Sequence, residues 1–141
     1  MNKLSHELPL RVRYSETDQM GTFYNSRVLE WFECSRSELM RDKLHMSYAA
    51  CEAKGVFLPL VQAHLDFQGG ARYDDLLRIV SVVRFEGRAR LRFDVTINHH
   101  ETAAPVASGH TLHAFTDNGG KPIRPPAWFV EMFNQAAAAE K

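Results

Sequence analysis

Residues 14–25 read Tyr14-Ser15-Glu16-Thr17-Asp18-Gln19-Met20-Gly21-Thr22-Phe23-Tyr24-Asn25 and join an alternating apolar pattern to the longest helical pattern of the chain. Asp18 lies a few residues before the expected helix start, where unpaired N–H groups and the helix dipole attract an anion. A carboxylate beside such an anion site is suited to catalysis. The alternative is an Asx-turn, in which Asp18 bonds its own backbone. Spacing alone favours the Asx-turn.

The segments on either side of this loop predict a strand and a helix. Apolar residues alternate with polar residues or proline over residues 8–14, which is typical of a strand with one buried face. A helix is expected from Asn25 or Ser26 to about Arg41. Its apolar residues form one broad stripe: Val28, Leu29, Trp31, Phe32, Leu39 and Met40.

The remaining patterns predict a short helix, four more strands and a C-terminal helix. The helix is expected over 44–54, the strands over 57–67, 76–85, 88–98 and 105–116, and the last helix after Pro125-Pro126. The tail, residues 136–141, is expected to fray. This order predicts one α+β domain over 1–141, with a mostly antiparallel sheet that wraps around the long helix.

Charge and composition exclude several classes of partner. Seventeen basic and seventeen acidic residues give a formal net charge of zero, so no nucleic-acid or membrane-surface partner is indicated. No apolar run approaches the roughly 20 residues of a membrane span, and the N-terminus lacks a signal-peptide core. We therefore expect a cytoplasmic protein.

Motifs for serine hydrolases, phosphate loops and zinc sites are absent from the sequence, so no cofactor or metal is expected. His110 and His113 resemble a metal pair, but residues three apart on a strand point to opposite faces. Glu30 and Glu33 on the long helix are either a base or solvated helix positions.

Three arginines, Arg88, Arg90 and Arg92, are expected to alternate on one strand face. They either contact the phosphates of a ligand or solvate the sheet with Asp94 as a partner. The sequence leaves both interpretations open.

Three segments of the chain resemble the hotdog-fold acyl-CoA thioesterases of the 4-hydroxybenzoyl-CoA thioesterase type. They are Val12-x-Tyr14-x-Glu16-Thr17-Asp18-Gln19-Met20-Gly21-x-x-Tyr24 with Leu29-Glu30-Trp31-Phe32-Glu33-x-x-Arg36-x-Glu38, then Ala71-Arg72-Tyr73-Asp74-Asp75-Leu76, and Gly109-x-Thr111-x-His113-x-Phe115. The resemblance implies a five-stranded antiparallel sheet wrapped around a long central helix. It also implies hydrolysis of an acyl-CoA thioester in a site between the subunits of a homodimer or homotetramer.

The same resemblance implies roles for individual residues. Asp18 is expected as the nucleophile or general base, and backbone N–H at the helix start, nearest Tyr24, as the oxyanion donor. The implied catalytic residues are Asp18, Tyr24 and Asn25, and the implied substrate-binding residues are Tyr14, Gly21, Gly70, Ala71, Arg88 and Arg90.

Two positions depart from the family pattern. Many relatives carry His or an aromatic residue in place of Asn25, which has no acid–base role near neutral pH. Many carry Pro in place of Gly70, so we expect a looser segment there. The alternatives are a non-catalytic acyl-CoA-binding module and, ranked last, a hotdog dehydratase or hydratase, which would need a His near the loop.

Overall fold

The computed structural model describes residues 2–140, which form five strands and three principal helices. The elements in chain order are β1 (Lys3–Arg11), α1 (Arg27–Leu44), α2 (Tyr48–Ala53), β2 (Leu60–Phe67), β3 (Leu76–Glu86), β4 (Arg90–His99), β5 (Pro105–Ala114) and α3 (Ala127–Ala139). This arrangement confirms the α+β class predicted from the sequence.

The five strands form one antiparallel sheet in the order β1-β3-β4-β5-β2. Side chains of β4 alternate between the two faces of the sheet. Leu91, Phe93, Val95 and Ile97 therefore lie on one face, where all four are buried. The β3–β4 hairpin closes at the Glu86–Arg90 pair, and Gly87 adopts a positive φ of 64° in the turn.

The long helix α1 packs against β1 and β3. Its buried face includes Val28, Trp31, Phe32 and Leu39, as the apolar stripe predicted. The helix runs to Leu44, three residues beyond the expected end, and His45 closes it in the left-handed region with φ 54°. The first turn of α1 is thereby held at the edge of the sheet where β1 ends and β3 begins.

Several predicted boundaries are wrong. The first strand, expected over residues 8–14, is β1 at Lys3–Arg11, and Tyr14 belongs instead to a single 3₁₀ turn, Tyr14–Glu16. The second helix is only Tyr48–Ala53. β2 begins at Leu60, because Phe57 makes just an isolated bridge to Thr116.

The C-terminal segment is more ordered than expected. α3 continues to Ala139, and Ala137 is buried against the core. The Glu140 carboxylate accepts hydrogen bonds from the Ser5 N–H at 3.1 and 3.2 Å, which ties the helix end to β1. The expected fraying is therefore wrong for residues 136–140, and Lys141 lies outside the described residues.

β2 is the edge strand opposite β1, and seven of its eight residues are exposed. Leu60, Val61 and Phe67 are large apolar residues among them. An unpaired, apolar sheet edge is a surface on which another strand can pair. Within residues 2–140, none of the helices is both long enough and apolar enough to cross a membrane.

Candidate active site

Asp18 is exposed in the loop formed by residues 17–23, here called the Asp18 loop. Its Oδ1 accepts a hydrogen bond from the Met20 N–H at 2.8 Å, and its carbonyl accepts one from the Gly21 N–H at 3.0 Å. The Asx-turn is therefore the observed geometry. It occupies Oδ1 only, and Oδ2 has no hydrogen-bond partner among the described residues.

Gly21 permits the tight turn of this loop. Its φ is +80°, and a Cβ at this position would lie 2.8 Å from Nη1 of Arg72. Any other residue would therefore strain the backbone and displace the arginine. Gly21 therefore sets the shape of the loop that carries Asp18.

The backbone at the start of α1 presents two free donors. The N–H of Tyr24 itself is engaged, because it donates to the Glu16 carbonyl at 2.8 Å. In the part of the chain that is described, the N–H groups of Asn25 and Ser26 have no acceptor. These two unpaired N–H groups lie one and two residues beyond Tyr24, where a helix start leaves backbone donors without intrahelical partners.

Glu16 fixes the helix start and was not recognised as a site residue from the sequence. Its side chain is only 3% exposed and accepts hydrogen bonds from the Arg13 N–H at 2.7 Å and the Trp31 indole at 2.8 Å. Burial by itself raises the pKa of Glu16, but these hydrogen bonds outweigh it and hold the pKa below its ordinary 4.5. Glu16 makes the half of a capping box in which a carboxylate reaches back three residues to a backbone N–H, but Arg13 cannot make the other half, so the sequence carried no complete capping-box signal.

A distant segment clamps the Asp18 loop. Thr22 Oγ1 donates to the Ala71 carbonyl at 3.2 Å and accepts from the Ala71 N–H at 3.1 Å, and the Phe23 N–H donates to the same carbonyl at 2.9 Å. The Ala71 side chain is 1% exposed, so its contribution is made by the backbone. His99 Nε2 donates to the Gly70 carbonyl at 2.9 Å. Backbone hydrogen bonds therefore connect the Gly70 segment to the Asp18 loop and to β4, and the looser segment expected from Gly70 stays a prediction.

Aromatic and apolar side chains surround this loop. Tyr14 packs edge-on against Tyr73 with ring centroids 5.5 Å apart, and both rings are more than half exposed. Tyr24 and Met20 are exposed as well, and buried Phe23 stacks against Phe67 of β2. Tyr14, Met20 and Tyr24 lie within six residues of Asp18 in the chain, and Tyr73 lies two residues beyond Ala71, so exposed apolar surface adjoins the Asp18 loop.

The Asp18 carboxylate, the two free N–H groups and most of these aromatic side chains lie on the segment between β1 and α1. Residues 12–133 match the model of the family described as the thioesterase-like superfamily. The chain belongs to this superfamily.

Individual relatives of this thioesterase-like chain are similar over part of their length. It is 38% identical to YneP of Bacillus subtilis over 66 residues, 47% of each chain. It is 32% identical to the acyl-CoA thioester hydrolase YbgC of Escherichia coli O157:H7 over 79 residues, 56% of this chain and 58% of YbgC. The match thus spans about half the length of these relatives.

Among solved structures, a probable thioesterase from Bartonella henselae superimposes on this member of the superfamily with a TM-score of 0.79. It is 29% identical, and the match covers 87% of this chain and 100% of that one.

The arginines of this thioesterase-like chain lie far from Asp18. The Asp18 loop follows β1, whose last residue pairs with Leu76, whereas Arg90 pairs with Glu86 at the other end of β3. The eleven residues of β3 separate these ends by about 33 Å. Arg88 lies in the turn before β4, so the expectation that it shares a strand face with the other arginines is wrong.

Other candidates have ordinary partners in this superfamily member. Arg92 pairs with Asp94 at 3.1 Å, which fits the solvated-face interpretation for that arginine. Glu30 pairs with Arg27 at 3.0 Å on the helix surface. His110 stacks on His64 while His113 is buried, which confirms that the two histidines of β5 face opposite sides. Residues 2–140 contain no cluster of three or more potential metal ligands.

Proposed function

We propose that this chain is an acyl-CoA thioesterase of the 4-hydroxybenzoyl-CoA type, which hydrolyses a thioester to a free acid and CoA. One observation carries the proposal: the free Oδ2 of Asp18 and the acceptor-less N–H groups of Asn25 and Ser26 occur together at the start of α1. The activity printed for YbgC supports the same reaction. We also propose that the sheet wraps around α1 as in hotdog folds.

The reaction requires two groups with different tasks. Asp18 either attacks the thioester carbon itself or removes a proton from the attacking water. The carbonyl oxygen then becomes an oxyanion, which the N–H groups at the helix start stabilise together with the helix dipole. The C–S bond breaks, and CoA leaves as the thiolate and is protonated. If water attacked, the free acid forms in that step; if Asp18 attacked, a mixed anhydride with Asp18 forms, and a water molecule then hydrolyses it to the free acid and restores the carboxylate. Asn25 contributes its backbone, since its amide side chain does not titrate.

We further propose that the active unit is a homodimer, alone or as half of a homotetramer. The exposed, apolar edge of β2 supports pairing with β2 of a second copy. A two-fold antiparallel pairing sets the Leu60 end of one strand beside the Phe67 end of the other. Phe67 stacks on Phe23 of the Asp18 loop in the same chain. The Leu60 end of β2 in one subunit therefore approaches the Asp18 loop of its partner.

The same geometry gives Arg88 and Arg90 a role. Within one chain they lie about 33 Å from the start of β3 and cannot share a ligand's reacting end with Asp18. Across a two-fold β2 edge they come closer to the partner's site, where they are able to bind the phosphates of CoA. Tyr14 and Tyr73 are then suited to contact the acyl or pantetheine portion.

The test is Asp18→Asn, because an asparagine Oδ1 still accepts the Met20 N–H and keeps the Asx-turn. We expect turnover of acyl-CoA to fall about 10²–10⁴-fold with an unchanged melting temperature. Asp117→Asn is the matched control, since Asp117 Oδ1 also accepts backbone N–H groups, at 2.9 Å, in an exposed turn. It should keep full turnover.

Three results would contradict the proposal or parts of it. Ordinary turnover by Asp18→Asn removes Asp18 from the chemistry. A loss of stability in parallel with activity assigns Asp18 a structural role. Wild-type protein that binds acyl-CoA without releasing thiol supports the non-catalytic acyl-CoA-binding alternative instead.

A further inference from the structure

A cavity with a volume of about 280 Å³ lies between α1, α2 and the first residues of β2. Arg36 and Tyr48 line it together with the apolar side chains of Leu58 and Leu60. Arg36 lies ten residues beyond Ser26, the nearer of the two residues with free N–H groups, which places it about 15 Å away along the helix. The cavity is therefore separate from the Asp18 loop.

The polar groups of this cavity are buried without partners. Arg36 is 8% exposed, and its Nε and Nη1 have no hydrogen-bond acceptor. The Tyr48 hydroxyl is also buried and unpartnered. Burial raises the pKa of Tyr48, and the Arg36 guanidinium, through its charge and a hydrogen bond to the hydroxyl that is looser than ideal geometry, offsets part of that rise. A buried, permanently charged guanidinium whose Nε and Nη1 lack a protein acceptor is costly, so an anion in the cavity would stabilise it.

The remaining buried group, His113, does not supply that anion or compete for it. Its Nδ1 donates to the Leu58 carbonyl at 3.1 Å, so its Nε2 is the acceptor for the Thr111 hydroxyl at 3.0 Å. Burial, together with the nearby Arg36 charge, lowers the pKa of His113 to about 4. Both ring nitrogens are therefore used in a neutral imidazole, and Arg36 is left as the cation of the cavity.

The lining restricts the kind of anion that fits. Glu33 and Glu52 are exposed residues that line the same cavity, yet neither accepts a hydrogen bond from Nε or Nη1 of Arg36. Their negative charges oppose the entry of multiply charged anions such as phosphates. A planar guanidinium binds a carboxylate through two parallel hydrogen bonds, and the leucine side chains offer an apolar surface next to it.

We propose that this cavity binds a small monocarboxylic acid, with the carboxylate on Arg36 and the Tyr48 hydroxyl and the hydrocarbon against Leu58 and Leu60. The site goes beyond the proposed hydrolysis, because neither Arg36 nor Tyr48 takes part in that reaction. Its ligand belongs to the same chemical class as the acid that hydrolysis releases.

The experiment is calorimetric titration with sodium benzoate and sodium hexanoate, with inorganic phosphate in parallel. We expect both carboxylates to bind the wild-type protein and phosphate not to bind. Tyr48→Phe should weaken benzoate binding about 10-fold or more, because one hydrogen bond to a charged group is lost. Arg36→Gln should abolish binding. Arg41→Gln, which changes an exposed arginine of the same helix paired with Glu38, should leave binding unchanged.

A stability measurement separates binding from a structural role. Tyr48→Phe removes a buried hydroxyl that has no partner, so the ligand-free variant should be as stable as the wild type or more stable. A clear loss of stability in Tyr48→Phe would mean that the hydroxyl serves the fold, and would count against the site.

Asp18→Asn distinguishes this site from the proposed active site. The variant should bind benzoate as the wild type does, whether or not Asp18 proves to be catalytic. Benzoate binding that is lost in Asp18→Asn but kept in Tyr48→Phe places the acid at the Asp18 loop and overturns the proposal. So does equal binding of phosphate, or binding that is insensitive to both cavity variants. Dissociation of a dimer by Arg36→Gln, seen in light scattering, assigns the guanidinium to a carboxylate of a second copy and also overturns it.

Discussion

Replacing Glu16 by glutamine tests whether a buried carboxylate holds the candidate active site in place. The carboxylate accepts from the Arg13 N–H at 2.7 Å, the Trp31 indole at 2.8 Å and the Arg13 side chain at 3.3 Å. Glutamine keeps one oxygen but turns an NH₂ group towards one of the first two donors. That donor is left unsatisfied, at a cost of about 1–3 kcal/mol, and the remaining bond loses its charge assistance.

The expected loss is therefore about 2–4 kcal/mol in the free energy of unfolding. At this chain length it corresponds to a fall of about 10 °C in the melting temperature. Urea unfolding and calorimetry at one fixed protein concentration measure both quantities. Glu30→Gln is the matched control, because Glu30 makes its ion pair with Arg27 on the exposed face of α1 and should cost less than about 1 kcal/mol.

The difference between wild type and Glu16→Gln should also depend on pH in a defined direction. The folded-state pKa of Glu16 is lowered, so the stabilisation is complete above the ordinary pKa of 4.5 and is lost as pH falls through the lower folded value. The two proteins should converge in strong acid. If Glu16→Gln is as stable as Glu30→Gln at pH 7, or if the gap widens in acid, the reasoning about Glu16 is refuted.

Three further changes have defined outcomes. Gly109→Ala should destabilise the protein by about 3 kcal/mol in urea unfolding, because a Cβ there would overlap the His64 carbonyl in the β2–β5 pairing. Gly119→Ala is the control: its Cβ would make an ordinary 3.5 Å contact, so the urea midpoint should be unchanged. Arg90→Ala should raise KM for acyl-CoA, leave kcat intact and have no effect on a truncated thioester without the nucleotide; equal effects on both substrates would return Arg90 to the solvated surface. Val61→Glu on the exposed edge of β2 should convert a dimer to monomers in light scattering with loss of turnover, and an active monomer would remove the shared-site argument.

Features encoded by local periodicity were predictable from the sequence. The alternation around Phe93 identified β4, and the stripe through Trp31 and Phe32 identified α1, because burial on one face repeats with the period of the element itself. The Glu86-Gly87 turn was likewise visible, since glycine supplies the positive φ there.

Features that depend on partners distant in sequence were not predictable from the sequence. β1 extends back to Lys3 because it pairs with β3, and Pro9 is tolerated since β1 is an edge strand. Glu140 is ordered by Ser5 at the opposite end of the chain. Neither contact can be predicted from the alternation of apolar and polar residues along the chain.

The candidate site divides in the same way. Asp18 and the helix start were located from the motif, and the Asx-turn was correctly weighed as an alternative. The use of the Tyr24 N–H by Glu16 was not foreseen, because it depends on how the 3₁₀ turn lies against α1. Arg88 was misplaced since the pattern does not state where β4 begins.

The clamp between Thr22 and Ala71 has a consequence for the order in which the molecule assembles. Its two residues are 49 positions apart and are separated by α1, α2 and β2, so its hydrogen bonds can form only when this whole segment has brought Ala71 back to the loop. Closing so long a segment costs chain entropy before any contact compensates for it. A nascent chain that ends before residue 71 can form the α1 helix but not the shape of the Asp18 loop. We therefore expect the loop to gain amide-exchange protection later than α1 during refolding.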